Sequence, residues 1–316
     1  MYFPYLYNKQ AETLALRTLS NKSLLGKIIP IIETMFDDTN IDWSDKSSIS
    51  TFIDKKFKSL IKDFSKNDNK FIIVLNQSLK YSGISFDYLY TKLSSYIEDN
   101  NIDDICYWGV YSTEFINQKS NLIGKKCVVF YENNLDIIKN DDVNIKHHIL
   151  LDETQTMSFI SLDLENKVII SDAFKKQKTN RDYPSYSLFS NNIFSYNKMI
   201  GFSGFGDYTI LEKNPNQTDG GNMNTITVAA HMTLKKDDKL YINHYIRIPE
   251  EIPDNSERIA DVINQIKADK SLFYLSEGLK KLTSFATSTS LTKIKELTIS
   301  HHIEKMGYLL KQLVDK

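Results

Sequence analysis

Short, bulky apolar runs that alternate with longer amphipathic stretches predict an α/β fold for this sequence. The runs are continuous rather than polar-alternating, as expected where helices cover both faces of a parallel sheet. Their number reaches the eight strands of a closed barrel. The expected architecture is therefore a distorted (βα)8, TIM-like barrel over residues 1–250, with a C-terminal helical extension over 251–316 packed on the same domain. An open doubly wound sheet fits less well, because neither GxGxxG nor GxxxxGK[ST] follows the first run.

Residues 25–33 read as the first strand, and Ile53, Phe57, Leu60, Ile61 and Phe64 then recur at helical spacing. Residues 70–76 give the second strand, followed by a helical pattern through Phe86, Leu89, Leu93, Tyr96 and Ile97. Residues 105–111 and 127–131 give the third and fourth, with short helices opening at 113–116 and 135–138. The fifth and sixth lie at 149–151 and 168–170, the seventh at 199–203 and the eighth at 225–231. Two places break the repeat. Residues 204–224, rich in Gly, Asn, Asp and Pro, predict a loop where a helix is due, and 235–238 turn the eighth strand into a hairpin partner over 240–246. Beyond Pro253 the pattern is helical, with Ile259, Val262, Ile263 and Ile266 in one helix and Leu291, Ile294, Leu297, Met306, Leu309, Leu310 and Leu313 in later ones.

The chain has 316 residues, 41% hydrophobic, 12% aromatic and 25% charged, which excludes disordered and fibrous classes. With 39 Lys+Arg against 40 Asp+Glu it lacks the basic balance of a duplex DNA binder, although a local basic groove stays open. No run approaches the roughly 18 apolar residues of a membrane span, and the first residues lack the pattern of a signal peptide, so a soluble cytoplasmic protein is expected. Cys106 and Cys127 lie inside apolar runs without metal-ligand spacing and read as buried thiols.

In a barrel of this kind functional groups gather at the carboxyl ends of the strands. That rim holds Glu33, Asn76, Asp152, Glu153, Ser171, Asp172, Asp207 and His231. Glu33, Asp172 and Asp207 are the expected ligands of a divalent metal, magnesium or manganese, and Asp172, Asp207, His231 and His244 the candidate catalytic acids and bases. The competing reading is that acids after strands cap the next helices. In the loop over 171–184, Lys175, Lys176 and Arg181 are candidate phosphate donors beside Asp172 and Asp182; the alternative is a solvated loop with Arg181 paired to Asp182 or Asp172. Gly201, Gly204 and Gly206 permit close backbone approach to a ligand, or a tight turn.

His231 and His244 flank the predicted hairpin and are expected to be cross-strand neighbours, which sets them above the other histidines. His301 and His302 are adjacent on a helix and point to different faces. No Gly-x-Ser-x-Gly is present, so no serine triad is legible.

Several segments together resemble the beta-family proteins of bacteria and phages. They are Tyr2-x-Pro4-Tyr5-Leu6-x-x-Lys9-Gln10-x-Glu12-x-x-Ala15-Leu16-Arg17, Pro30-Ile31-Ile32-Glu33, Ser171-Asp172-x-Phe174 with Asn180-x-Asp182-Tyr183-Pro184, Gly206-Asp207-Tyr208, and the strands of His231 and His244. The resemblance runs to about residue 250 and leaves out the helical C-terminus. It implies a barrel-like α/β fold, an adjacent gene for a nuclease-like partner in some bacterial members, and a setting in anti-phage defence, but no established reaction. Its motif positions add Asp182 and Tyr208 as expected ligand-binding residues.

Two functions follow as expectations. One is a hydrolase that cleaves a phosphodiester or nucleotide at the rim with metal assistance. The other is a non-catalytic sensor that recognises a phage product and works with a nuclease-like protein partner. A phosphate-bearing ligand or nucleic acid is the expected partner of the loop cations, and no membrane is expected.

Overall fold

The computed structural model describes residues 1–20, 27–33, 42, 45–75, 86–133, 135–138, 142–213, 226–287 and 289–314; Asn76 lies outside them. The chain divides into two compact units, Met1–Lys9, Ser20–Ser171 and Ser195–Asp207 in the first and Gln10–Leu19, Asp172–Phe194 and Tyr208–Lys316 in the second. The expected boundary at residue 250 falls inside the second unit.

The first unit is a closed, all-parallel barrel of eight strands: β1 (Tyr2–Tyr7), β2 (Ile31–Glu33), β3 (Phe71–Val74), β4 (Cys106–Tyr111), β5 (Lys126–Tyr131), β6 (Asn144–Leu150), β7 (Lys167–Ser171) and, after an excursion that carries β8 (Tyr186–Ser190), β9 (Phe202–Asp207), which closes on β1. Helix α1 (Gln10–Ser20) follows β1 in sequence. Between barrel strands run α2 (Lys46–Ile53), continued by a π-helical turn into α3 (Ser59–Ser65), then α4 (Phe86–Asp99), α5 (Phe115–Leu122) and α6 (Thr156–Ser161). Ile53, Phe57, Leu60, Ile61 and Phe64 are all buried, as their helical spacing requires.

The α/β class and the strand number agree with expectation, but the identity of two strands does not. Residues 2–7 are a barrel strand in spite of Pro4, whereas the expected eighth strand lies in a separate antiparallel sheet. The seventh strand begins later than expected, at Phe202, and takes in part of the presumed loop. Residues 135–138 are not helical.

Strand register fixes which side chains face the barrel axis. Tyr5, Ile31 and Ile72 share one level and Tyr7, Glu33 and Val74 the next, nearer the carboxyl ends. Gly109 shares the inner face, since a Cβ there would meet Phe130, Val74 and Ile72. Gly206 also faces in; a Cβ would lie 2.1 Å from the Phe3 carbonyl oxygen and 2.3 Å from Ile170 Cδ1. Gly204 likewise leaves room for the Phe3 ring. These two glycines serve closure of β9 on β1, and Gly201 sits in a turn at φ +78°, so the structure uses all three for packing and turning.

The second unit is built on a three-stranded antiparallel sheet in the order β10 (Val228–Lys236), β11 (Lys239–Arg247), β8. Val228, Ala230, Met232 and Tyr245 pack against α7 (Asn255–Ala268), α8 (Glu277–Ser284) and α9 (Leu291–Val314) through Ile259, Val262, Ile263, Ile266, Leu279, Leu282, Ile294 and Leu297. The helix starts are capped in sequence-legible ways: Asp254 accepts from Glu257 N, and Ser276 Oγ from Leu279 N. Both cysteines are buried free thiols. Among the described residues no helix is long and apolar enough to cross a membrane.

Candidate functional site

At the carboxyl end of the barrel interior, the phenol of Tyr5 donates to Glu33 Oε2 at 3.0 Å, and Tyr111 OH lies 3.3 Å from the Tyr5 oxygen. Because the Tyr5 proton is directed to the carboxylate, Tyr111 is the donor in the second contact, giving a relay Tyr111 to Tyr5 to Glu33. All three are buried, and Phe130 closes the cluster edge-on to Tyr5 at 6.1 Å. Burial and the nearby Glu33 charge hold the Tyr111 phenol well above its ordinary range, so it stays a proton donor. Glu33 is a sequence-predicted site residue. Tyr5, Tyr7 and Tyr111 are not; their signal was the period-two spacing of Tyr5 and Tyr7 and the position of Tyr111 at the end of a strand.

The barrel places Asp207 on the other side of its wall. Ser171 and Pro4 both pair with Asp207 in register, and Tyr2, two positions before Pro4 and on the same outward parity, donates to Asp207 Oδ1 at 2.7 Å. Tyr2 packs on Phe205, which precedes the inward Gly206, so this pair lies on the outer layer. Tyr2 and Asp207 are buried, and their bond ties β1 to β9. Glu33 and Asp207 therefore point to opposite faces of the wall.

Asp172 is exposed just past β7, in the second unit. Among the described residues no group of three or more His, Cys, Asp and Glu side chains could hold a metal ion. The predicted ligand set Glu33, Asp172 and Asp207 does not fit magnesium or manganese, whose oxygen ligands must converge within about 2 to 2.6 Å of one point.

The loop over 171–184 is folded, not merely solvated. Asp182 closes a capping box, accepting from Thr179 N at 3.0 Å and from Thr179 Oγ1 at 2.9 Å. Arg181 pairs with Glu250 at 2.8 Å and Lys176 with Glu212, rather than with Asp182 or Asp172. Lys175 reaches back to the Asp172 carbonyl. Two of the three expected phosphate donors thus already face carboxylates. Asp152 caps a short turn through Thr154 N, as the capping alternative expects. Tyr208 is buried.

The loop presses Phe174 and Tyr183 against the histidines of the sheet. His231 and His244 are directly opposed in the β10–β11 register, with Nδ1 to Nδ1 at 2.8 Å. Tyr183 stacks on His244 at 4.7 Å and 21°, and Phe174 meets His231 edge-on at 5.0 Å. On β8, Ser187 Oγ lies 2.8 Å from His244 Nε2. Desolvation lowers His231 to about 3 and His244 to about 4, so both are neutral near pH 7. The cross-strand pairing of the histidines was legible from the hairpin; Ser187 was not, since residues 186–190 read as no element. His301 and His302 act separately, His301 on Ser276 and the Thr233 carbonyl and His302 on the Thr233 hydroxyl.

Compared with family models, curated proteins and solved structures, the chain finds no match.

Proposed function

We propose that this chain is a cytoplasmic recognition subunit of anti-phage defence, which binds a phage product at the carboxyl mouth of the barrel and leaves nucleic-acid cleavage to a nuclease-like partner. The observation that carries the reading is the buried Glu33 carboxylate, set at the end of a strand inside the barrel and held by the Tyr111 to Tyr5 relay. A carboxylate oriented by phenols and lined with aromatic rings suits a ligand that presents a cation or N–H donors. Metal-assisted hydrolysis of a phosphodiester is less well supported, because Glu33 and Asp207 face opposite ways and Lys176 and Arg181 are engaged by Glu212 and Glu250. The defence setting and the nuclease-like partner rest on the motif resemblance alone.

The test is phage plating on cells that carry the chain in its native gene neighbourhood, using Glu33→Gln, Tyr5→Phe and Tyr111→Phe. Each variant is expected to keep its far-UV signature, and Tyr5→Phe to lose about 1.5–3 kcal/mol of stability, as for a hydrogen bond to a charged group. Loss of at least tenfold protection in folded Glu33→Gln and Tyr5→Phe is the expected outcome. Full protection by all three would overturn the reading.

A further inference from the structure

We propose that the second unit carries a serine-nucleophile site, Ser187–His244–His231, that cleaves carboxylic esters with readily expelled alcohols. This activity is independent of the barrel mouth and stands if the recognition reading fails.

The geometry is that of a nucleophile, a base and a group that orients the base. Ser187 Oγ is 2.8 Å from His244 Nε2, and the other nitrogen of the same ring is 2.8 Å from His231 Nδ1. Two proton arrangements satisfy both contacts. In the one assigned here His244 carries its proton on Nδ1 and donates it to His231 Nδ1, which leaves Nε2 as an acceptor aimed at the Ser187 hydroxyl. His231 then holds the tautomer and ring orientation of His244, and is a positioning residue. The reverse arrangement would make Ser187 an acceptor and leave it unactivated.

The surroundings agree with that assignment. Three strands fix the three side chains, so the relay is set by sheet register and not by loop position. Tyr183 stacked on His244 and Phe174 against both rings form an apolar wall that keeps water from the imidazole pair. Lys295 adds a positive charge that further disfavours a proton on His231. Ser187 is only partly buried, and among the described residues β8 pairs with β11 alone. Alternate backbone N–H groups along that edge face away from β11, which is where an oxyanion would find donors.

In the reaction Ser187 Oγ attacks the ester carbonyl carbon while its proton passes to His244 Nε2. The C–O bond to the alcohol then breaks, and the departing alkoxide takes that proton. Water attacks the acyl–Ser187 ester, again giving its proton to His244, and the acid leaves with Ser187 restored. A base as weak as His244 abstracts the serine proton poorly, so attack succeeds only on carbonyls activated by a readily expelled alcohol, and ordinary peptides are excluded.

The probe is a fluorophosphonate: Ser187 Oγ bonds to phosphorus, fluoride departs and the proton goes to His244. Expected results on the full chain are a single adduct mapped by mass spectrometry to Ser187, no adduct in Ser187→Ala, and at least tenfold slower p-nitrophenyl acetate hydrolysis in that variant. Labelling should rise with a midpoint near pH 4, set by the burial of His244, and stay flat above it. His231→Leu, which removes the acceptor that fixes the His244 tautomer, should slow labelling at least tenfold, and His231→Gln, whose side-chain oxygen can still accept from Nδ1, should restore it, a rescue that a purely structural role would not produce. Wild-type protein left unlabelled while a control serine hydrolase is fully labelled, or an adduct on another residue, would overturn the proposal. Nitrogen shifts placing the His244 proton on Nε2 would do the same without any variant.

Discussion

The barrel interior and the antiparallel sheet both bury polar side chains among aromatic rings, and they satisfy them by opposite means. In the barrel the buried group is a carboxylate, Glu33, and two phenols line up to donate toward it. In the sheet the groups are two imidazoles that stay neutral, His244 buried and His231 half-buried, with Ser187 at the end of the relay. Burying a charge is tolerable only when donors converge on it, whereas an imidazole escapes the same penalty by giving up its proton. The first arrangement is suited to meeting a positive or donor-bearing ligand, the second to moving a proton between neighbours.

The most disruptive way to separate the two regions is Gly206→Ala. The added Cβ would sit 2.1 Å from a backbone oxygen of β1, where no side-chain rotation can relieve it. The barrel seam cannot then close in the native register, and we expect loss of the cooperative thermal transition followed by circular dichroism. A variant that melted normally would show that β9 does not close on β1 as described.

That seam also shows what the sequence could and could not disclose. The parallel class was legible because Phe71–Val74 and Lys167–Ser171 are buried along their whole length and contain the unbroken apolar runs 71–74 and 168–170. The hairpin was legible because its turn residues separate two apolar stretches, and the register that opposes His231 to His244 follows from that turn. The strand at Tyr2–Tyr7 was hidden by Pro4, which ordinarily argues against a central strand. Without it the count of eight is completed by residues 225–231, while Asp207 reads as a rim residue a few positions past a strand ending at 203. The strand instead runs on to Asp207, and because successive side chains alternate faces, Asp207 follows the inward Gly206 and points outward. Glu33 was found because it ends an apolar run. Its partners Tyr5 and Tyr111 were not, since they come from strands far apart in sequence and only barrel closure brings them together. Ser187 lies on a strand whose burial is patchy, and no periodicity marked it.

Acid should affect the two regions in the same direction, and for one reason. His147 and His148 in the barrel and His231, His244 and His301 in the second unit all have lowered values, about 4 for each except about 3 for His231, chiefly through desolvation. Unfolded histidines take up protons below about pH 6.5, and the folded ones do not until the pH approaches 4. Between those limits the unfolded state binds more protons, so stability falls as pH falls, by roughly 1.4 kcal/mol per pH unit for each histidine that stays neutral. Above pH 6.5 these histidines contribute no slope. Denaturant midpoints at pH 7, 6 and 5 check this, and a flat profile would mean that the imidazoles are hydrated and not occluded.

The smallest effect expected is at Arg181, and it discriminates most sharply between the readings of the loop over 171–184. Arg181 and Glu250 form an exposed pair, with side chains 49% and 62% accessible, and such pairs contribute little to folding because water and salt already screen them. Arg181→Ala should therefore leave the melting temperature unchanged. If the guanidinium serves only Glu250, phage protection should be unchanged as well, and protection should likewise be indifferent to Glu250→Gln. If Arg181→Ala abolishes protection while Glu250→Gln leaves or improves it, the guanidinium is wanted by a ligand and Glu250 merely holds it between encounters. A phosphate-bearing ligand would then belong to the second unit, and the barrel mouth would lose its claim to be where the phage product is recognised.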